Sequence, residues 1–271
     1  MKNAALGQYY PSDSVIHRLD GRIKIILAVL FIVICFLCKS IPAFLMLILS
    51  TFVLIFISRI HFSVIFKALK AIIVILAFTF ILNMFFTAGE KPIFSWWIFT
   101  LYPEGIRNAA LMGIRILALI ISTSVFVSYT TTPIQLTDSL ESLLSPLKLL
   151  KVPVSDFAMM MSIALRFIPT LSEETEKIMT AQRSRGADFN TGSLVKRIKS
   201  LVPVLVPLFV SAFRRADDLA TAMECRCYNG GKGRTKMNVP ELHPADFVAL
   251  AAVLLLGAGV IFINRLDFTL L

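Results

Sequence analysis

Residues 196–215 read KRIKSLVPVLVPLFVSAFRR: an apolar run from Leu201 to Phe213 set between two basic clusters. How this stretch is placed decides the fold. A helix that crosses a bilayer needs about 20 apolar residues, and this run is shorter and contains Pro203 and Pro207. Crossing would also leave either Lys196, Arg197 and Lys199 or Arg214 and Arg215 outside, against the bias of basic residues toward the cytoplasm. The stretch therefore reads as a helix lying along or near the inner membrane face. Phe157 to Pro169, broken by Arg166, reads the same way.

Both runs belong to a charged segment, residues 130–243, which holds 15 Lys and Arg and 11 Asp and Glu of the chain's 27 and 17. The residues around that segment are of another kind. Five apolar spans stand out: Ile25 to Cys38 extended back over Lys24, Ala43 to Ile57, Ala71 to Phe86, Ala109 to Tyr129, and Phe247 to Ile263. The Lys24 stem is long enough to snorkel to the interface. Trp96, Trp97 and Tyr102, between the third and fourth spans, suit a membrane interface better than a core. With the N-terminus inside, 22 Lys and Arg fall on the cytoplasmic side and only Lys39, Lys91 and Arg265 outside. That asymmetry orients the chain and puts the C-terminus outside.

The expected fold is an all-α polytopic membrane protein. It has four transmembrane helices in residues 1–129, a cytoplasmic module of long amphipathic helices in 130–243, and a C-terminal transmembrane helix in 244–271. A chain of 271 residues that is 57% hydrophobic and 16% charged is outside the soluble range. The net charge of +10 is what cytoplasmic loops of such a protein carry, so nucleic acid is not called for. Polar residues and Pro11 precede the first apolar run, so no cleaved signal peptide is expected.

Sets of residues that carry chemistry are missing. Cys35 and Cys38 lie within a span, Cys225 and Cys227 have no nearby histidine, and His17, His61 and His243 are far apart, so neither a metal site nor a cofactor is expected. Gly230-Gly-Lys-Gly-Arg-Thr235 lacks the order of a phosphate-binding loop. The five spans contain no Asp or Glu, which argues against proton or sodium coupling. Arg115, inside the fourth span, is placed toward protein or water rather than lipid, because a central charge costs about 2.5 kcal/mol or more.

Within the charged segment, Leu136, Leu140, Leu143 and Leu144 form one face of a short helix that Pro146 ends or kinks. Pro153 precedes a second helix that Ser155 or Asp156 can cap. Met159, Met160 and Met161 on it suit either a surface that repacks or an ordinary core. Thr170-Leu-Ser-Glu173 has the form of a capping box and predicts a new helix start. That helix would end at Gly186, and a longer one from Gly192 to about Tyr228 would be stopped by Asn229-Gly230-Gly231.

The ends of these two helices echo each other: Ala181-Gln-Arg-Ser-Arg185-Gly186 and Ala222-Met-Glu-Cys-Arg226-Cys227. Either arginine alone fits a helix C-terminus, where a cation gains about 0.3–1 kcal/mol from the dipole. The matched pair admits a second reading, a docking pair in which each guanidinium makes bidentate bonds to a partner's carboxylates.

Three stretches carry a resemblance to a known family. Pro11-x-x-Ser14-x-x-His17-x-Leu19-Asp20-x-Arg22-x-Lys24, Leu165-Arg166-Phe167-Ile168-Pro169, and the pair Ser184-Arg185-Gly186 with Cys225-Arg226-Cys227 resemble the transmembrane T component of energy-coupling factor (ECF) transporters, ABC-type importers of vitamins and transition-metal ions. Departures are Ser184 for alanine, cysteines on both sides of Arg226, and Gly21 where proline is common. The resemblance implies a non-catalytic subunit of the cell membrane. Two cytosolic ATPases would dock at Arg185 and Arg226 with their neighbours Ser184, Gly186, Cys225 and Cys227. A small membrane S component would bind the substrate and topple as the ATPases close. The alternatives are a self-contained secondary transporter or channel, and a membrane-bound enzyme acting on lipid, for which no residue set can be named.

Overall fold

The computed structural model describes residues 9–86, 94–96, 99–189, 193–230 and 242–267. In chain order the helices are α1 (Val15–Arg18), α2 (Gly21–Leu37), α3 (Ile41–Ser58), α4 (Phe62–Phe86), α5 (Pro103–Thr123), α6 (Pro133–Leu143), α7 (Val154–Ser184), α8 (Leu194–Cys225) and α9 (Pro244–Asp267). A π-helical turn, Ser124–Tyr129, prolongs α5, and a 3-10 turn, Ser145–Leu150, follows α6. Between α4 and α5, β1 (Phe94–Trp96) and β2 (Phe99–Leu101) pair antiparallel with Ser95 opposite Thr100. Trp97, named above as an interface residue, and residues 231–235 of the glycine-rich turn lie outside the described residues.

The elements form two units. One comprises Gln8–Thr132 and Pro240–Leu271. Here α5 is the hub, packed on α2, α3 and α4, while α9 packs on α2 and α3. Leu27, Phe31, Leu47, Val125 and Val260 are fully buried between these helices. Gly105, at the start of α5, is where α4 comes closest, since an added Cβ would lie 2.8 Å from the Met84 carbonyl oxygen. The outward faces stay apolar: Phe56, Val74 and Leu255 are more than 70% exposed, as expected where lipid replaces water.

The starts of α1 and α2 are capped by short polar side chains, whereas α3 and α5 carry proline in their first turn. Ser14 Oγ accepts the His17 N–H, and Asp20 accepts the Arg22 N–H at 2.9 Å. Lys24 does not snorkel. It is buried, and its ammonium donates to the carbonyls of His17 (3.0 Å) and Thr130 (2.8 Å). Buried Asp246, at the start of α9, accepts the N–H groups of Asp20 (2.9 Å) and His243 (2.7 Å). The polar N-terminal motif thus ties the starts of α2 and α9 to the end of the π-turn. Arg115 faces protein: its guanidinium donates to the Cys38 carbonyl (2.7 Å), at the C-terminus of α2, and stands 5.3 Å from the Phe44 ring centroid.

The other unit holds Pro133–Val239. Its helices α7 and α8 are 31 and 32 residues long, about 47 Å each at ~1.5 Å per residue. α7 packs on both α6 and α8. Two sequence-based boundaries are corrected here. Thr170 opens no helix, because α7 runs unbroken through Pro169. A proline removes one hydrogen bond, to residue i−4, and the packing on both sides outweighs it. Nor does Ser155 or Asp156 cap α7, which begins after Pro153 with no side-chain cap. In α8, Pro203 and Pro207 are likewise inside the helix.

By length and composition, four helices can cross a membrane: α3, α5 continued to Tyr129, α7, and α9 to Leu266. α2, at 17 residues, and the apolar part of α4, Ile72–Phe85, are shorter. α7 is the least apolar of the four. It reaches the required length only because the helix continues past Pro169, up to the charged run that begins at Glu173.

Candidate functional site

α7 and α8 end in the same hydrogen-bonded structure, residue for residue. At the end of α7 the N–H of Gly186 donates to the Arg183 carbonyl (2.9 Å) and that of Ala187 to the Gln182 carbonyl (3.0 Å). At the end of α8 the N–H of Cys227 donates to Glu224 (2.9 Å) and that of Tyr228 to Met223 (3.0 Å). This paired 5→2 and 6→1 pattern is the Schellman motif, which closes a helix through one residue in left-handed conformation. Gly186 (φ 87°) and Cys227 (φ 58°) are those residues. α8 therefore stops at Cys225, ahead of Asn229-Gly230-Gly231, the stop expected from the sequence.

The six residues singled out in the sequence fall into two equivalent sets. Ser184 and Cys225 are the last helical residues, Arg185 and Arg226 the C-caps, and Gly186 and Cys227 the left-handed positions. All six are exposed. Ser184 Oγ donates back to the Thr180 carbonyl at 3.2 Å. Arg183, by contrast, lies 5.9 Å from the Phe189 ring centroid and is engaged with its own turn. The two ion pairs seen among the described residues, Arg18–Asp13 and Arg215–Glu174, involve neither Arg185 nor Arg226. Each tip therefore presents an exposed guanidinium with five donors.

Behind the tips, the Arg215 guanidinium donates to Glu174 Oε2 at 2.9 Å, linking α8 to α7. The Ser211 hydroxyl, then Arg215, hold the Glu174 carboxyl below the usual carboxylate range. Sequence reasoning missed this pair because Glu174 was grouped with Glu173 and Glu176 as first-turn residues of a helix that in fact began twenty residues earlier. It also missed the left-handed Cys227. The echo between the two helix ends held the signal, since Cys227 stands where the first copy has glycine. No group of three or more His, Cys, Asp or Glu able to hold a metal occurs among the described residues.

A model of the CbiQ family, described as cobalt transport protein, matches residues 12–237. The chain belongs to the CbiQ family. Its relatives extend over nearly the whole chain. The energy-coupling factor transporter transmembrane protein EcfT of Clostridium kluyveri is 48% identical over 257 residues, 94% of this chain and 95% of its own. The proteins of that name from Ruminiclostridium cellulolyticum and Bacillus subtilis are 48% and 44% identical, each over 264 residues, covering 97% of this chain and 96% and 99% of theirs. In this CbiQ-family member the left-handed position after the C-cap is held by Gly186 at one helix end and by Cys227 at the other.

Proposed function

We propose that the chain is the transmembrane coupling subunit of an energy-coupling factor importer. Two cytosolic ATPases bind it at Arg185 and Arg226, and their ATP-driven closure is passed through α7 and α8 to a separate small membrane protein that holds a vitamin or a transition-metal ion. The observation that carries this reading is the pair of identical helix ends, each presenting an exposed arginine at the C-cap. Capping requires only the left-handed residue that follows; it does not require arginine. The relatives' shared name supplies the class of transporter. Residues 130–243, with α6, α7 and α8, are the cytoplasmic coupling module in this reading, and α2 to α5 and α9 are the transmembrane helices. The N-terminus is then inside and the C-terminus outside.

Arg185→Glu combined with Arg226→Glu tests the reading. The double variant is expected to insert normally, to lose co-purification with both ATPases and to lose uptake. ATPases that co-purify as well as with the wild type would remove the docking role. Lysine at both positions is the sharper control, because it keeps the charge and the dipole interaction but cannot form the bidentate fork.

A further inference from the structure

We infer that the ion pair of Glu174 and Arg215 is a pivot that fixes how α7 crosses α8 and so sets the positions of the two arginine tips. The functional consequence rests on the coupling reading above; the geometry does not. Glu174 lies eleven residues before Arg185, and Arg215 lies eleven before Arg226. Eleven residues is close to three full turns of about 3.6 residues. Each tip arginine is therefore in nearly the same rotational phase as the pivot residue of its own helix, at an equal distance of about 16 Å along the axis.

The polar contact sits within seams that are otherwise largely apolar. On α7 the half-buried positions flanking Glu174 are Leu171 and Ile178; on α8 those flanking Ser211 and Arg215 are Leu208 and Leu219. Apolar seams alone tolerate sliding, because one leucine packs much like another. A charged pair does not: a slip of one turn, about 5.4 Å, breaks the 2.9 Å bond and sets Arg215 against Leu171 or Ile178. The Arg215 and Glu174 side chains are 39% and 23% exposed, so the pair adds little stability and acts by specifying which residues face each other.

Equal arms make the pivot act on both tips alike. A change of ~10° in crossing angle, within the ordinary scatter of helix packing, moves a tip ~16 Å away by about 3 Å. That is a full hydrogen-bond length, enough to take a bidentate arginine off its carboxylate. Glu174 and Arg215 are accordingly positioning residues: they act on the partners through Arg185 and Arg226 without touching them.

The test measures the distance between the tips in the full-length chain in nanodiscs. Spin labels go on Ser184→Cys and native Cys225, with Cys227→Gly removing the third exposed thiol while Cys35 and Cys38 stay buried; ATPase co-purification is read separately, on unlabelled protein with native Ser184 and Cys227. Glu174→Gln and Arg215→Gln are each expected to at least double the width of the distance distribution and to reduce ATPase co-purification tenfold or more. The charge swap Glu174→Arg with Arg215→Glu is expected to restore both to within about threefold of the reference. A width that stays at the reference value in both glutamine variants overturns the inference. So does a swap that inserts normally yet remains as broad as the single variants. Arg185→Glu with Arg226→Glu separates the two claims, because it leaves the crossing intact. Loss of ATPases there at unchanged width supports docking, and retained ATPases defeat docking while the distance result stands.

Discussion

Cys227→Gly should stabilise the end of α8. Cys227 is a non-glycine residue at φ 58°, in the left-handed region where Cβ approaches the following carbonyl oxygen at a cost of about 1–2 kcal/mol. Glycine removes that strain but loses more backbone entropy on folding, roughly 0.5–1 kcal/mol. The balance favours glycine by about 0.5–1 kcal/mol, twofold to fivefold in a local opening equilibrium. The two Schellman hydrogen bonds, from Cys227 N–H to Glu224 and from Tyr228 N–H to Met223, are the groups that open. Hydrogen exchange read by mass spectrometry on peptides covering residues 223–228, with the protein in nanodiscs, should therefore slow by that factor, and exchange in the other helices should not change. Gly186→Ala is the mirror experiment: φ 87° admits alanine only with strain, so exchange across residues 182–187 should quicken. If Cys227→Gly leaves exchange unchanged or speeds it, or if both variants move the same way, the assignment of Cys227 as the closing residue of α8 is wrong.

Four further outcomes follow from other polar contacts. Arg115→Met leaves the Cys38 carbonyl without its 2.7 Å donor at the end of α2; a hydrogen bond to a charged group is worth about 1.5–3 kcal/mol, so thermal unfolding in detergent should shift down by several degrees. Asp246→Ala strips the buried N–H of Asp20 and the part-buried N–H of His243 of their acceptor, and should destabilise by about 2 kcal/mol, with Asp246→Asn, which keeps one acceptor oxygen, losing less. His17 is pushed below its ordinary pKa, mainly by burial, so the unfolded chain binds more protons than the folded one just below pH 6.5, and stability falls as pH drops through the folded value. Glu174 has the opposite charge but the same direction in pH: its lowered pKa means that the α7–α8 contact is present above the unfolded carboxylate value of 4.5 and is lost as pH falls below it. Titrating thermal stability from pH 8 to 4, with His17→Gln and Glu174→Gln as references, separates the two windows.

The membrane part of the fold was legible because apolar periodicity and length are properties of the chain itself. Each of the five apolar spans lies within or across a helix, and four of these helices start at or beside Asp20, Pro42, Pro103 and Pro244. What could not be read was whether a local signal prevails over its surroundings. Thr170-Leu-Ser-Glu173 has the spacing of a capping box, yet the same i, i+3 spacing occurs within any helix, and the face continued by Phe167, Leu171 and Ile178 carries α7 through Pro169. Lys24 next to an apolar run reads as a snorkelling residue until the partners are known. Those partners, the carbonyls of His17 and Thr130, are brought to it only by the tertiary fold. At the helix tips the sequence displayed the repeat but not its cause, since nothing local announces that a cysteine will adopt a left-handed conformation.

The two helix ends also separate what the fold requires from what function requires. Closing a helix by a Schellman motif constrains the residue after the C-cap, and this chain meets that constraint once with glycine and once with cysteine, accepting strain at Cys227. Position 184/225 is likewise filled differently, by serine and by cysteine. The C-cap position is the one of the three where both ends carry the same side chain, although capping places no demand on it and lysine would serve the helix dipole as well. Neither arginine takes part in an ion pair with this chain among the described residues. The backbone motif has thus held its geometry through substitution, while the arginine recurs without an intramolecular reason. An exposed side chain that the fold does not need, repeated at two equivalent rigid tips, is the ground on which we propose that each arginine meets a partner outside the chain.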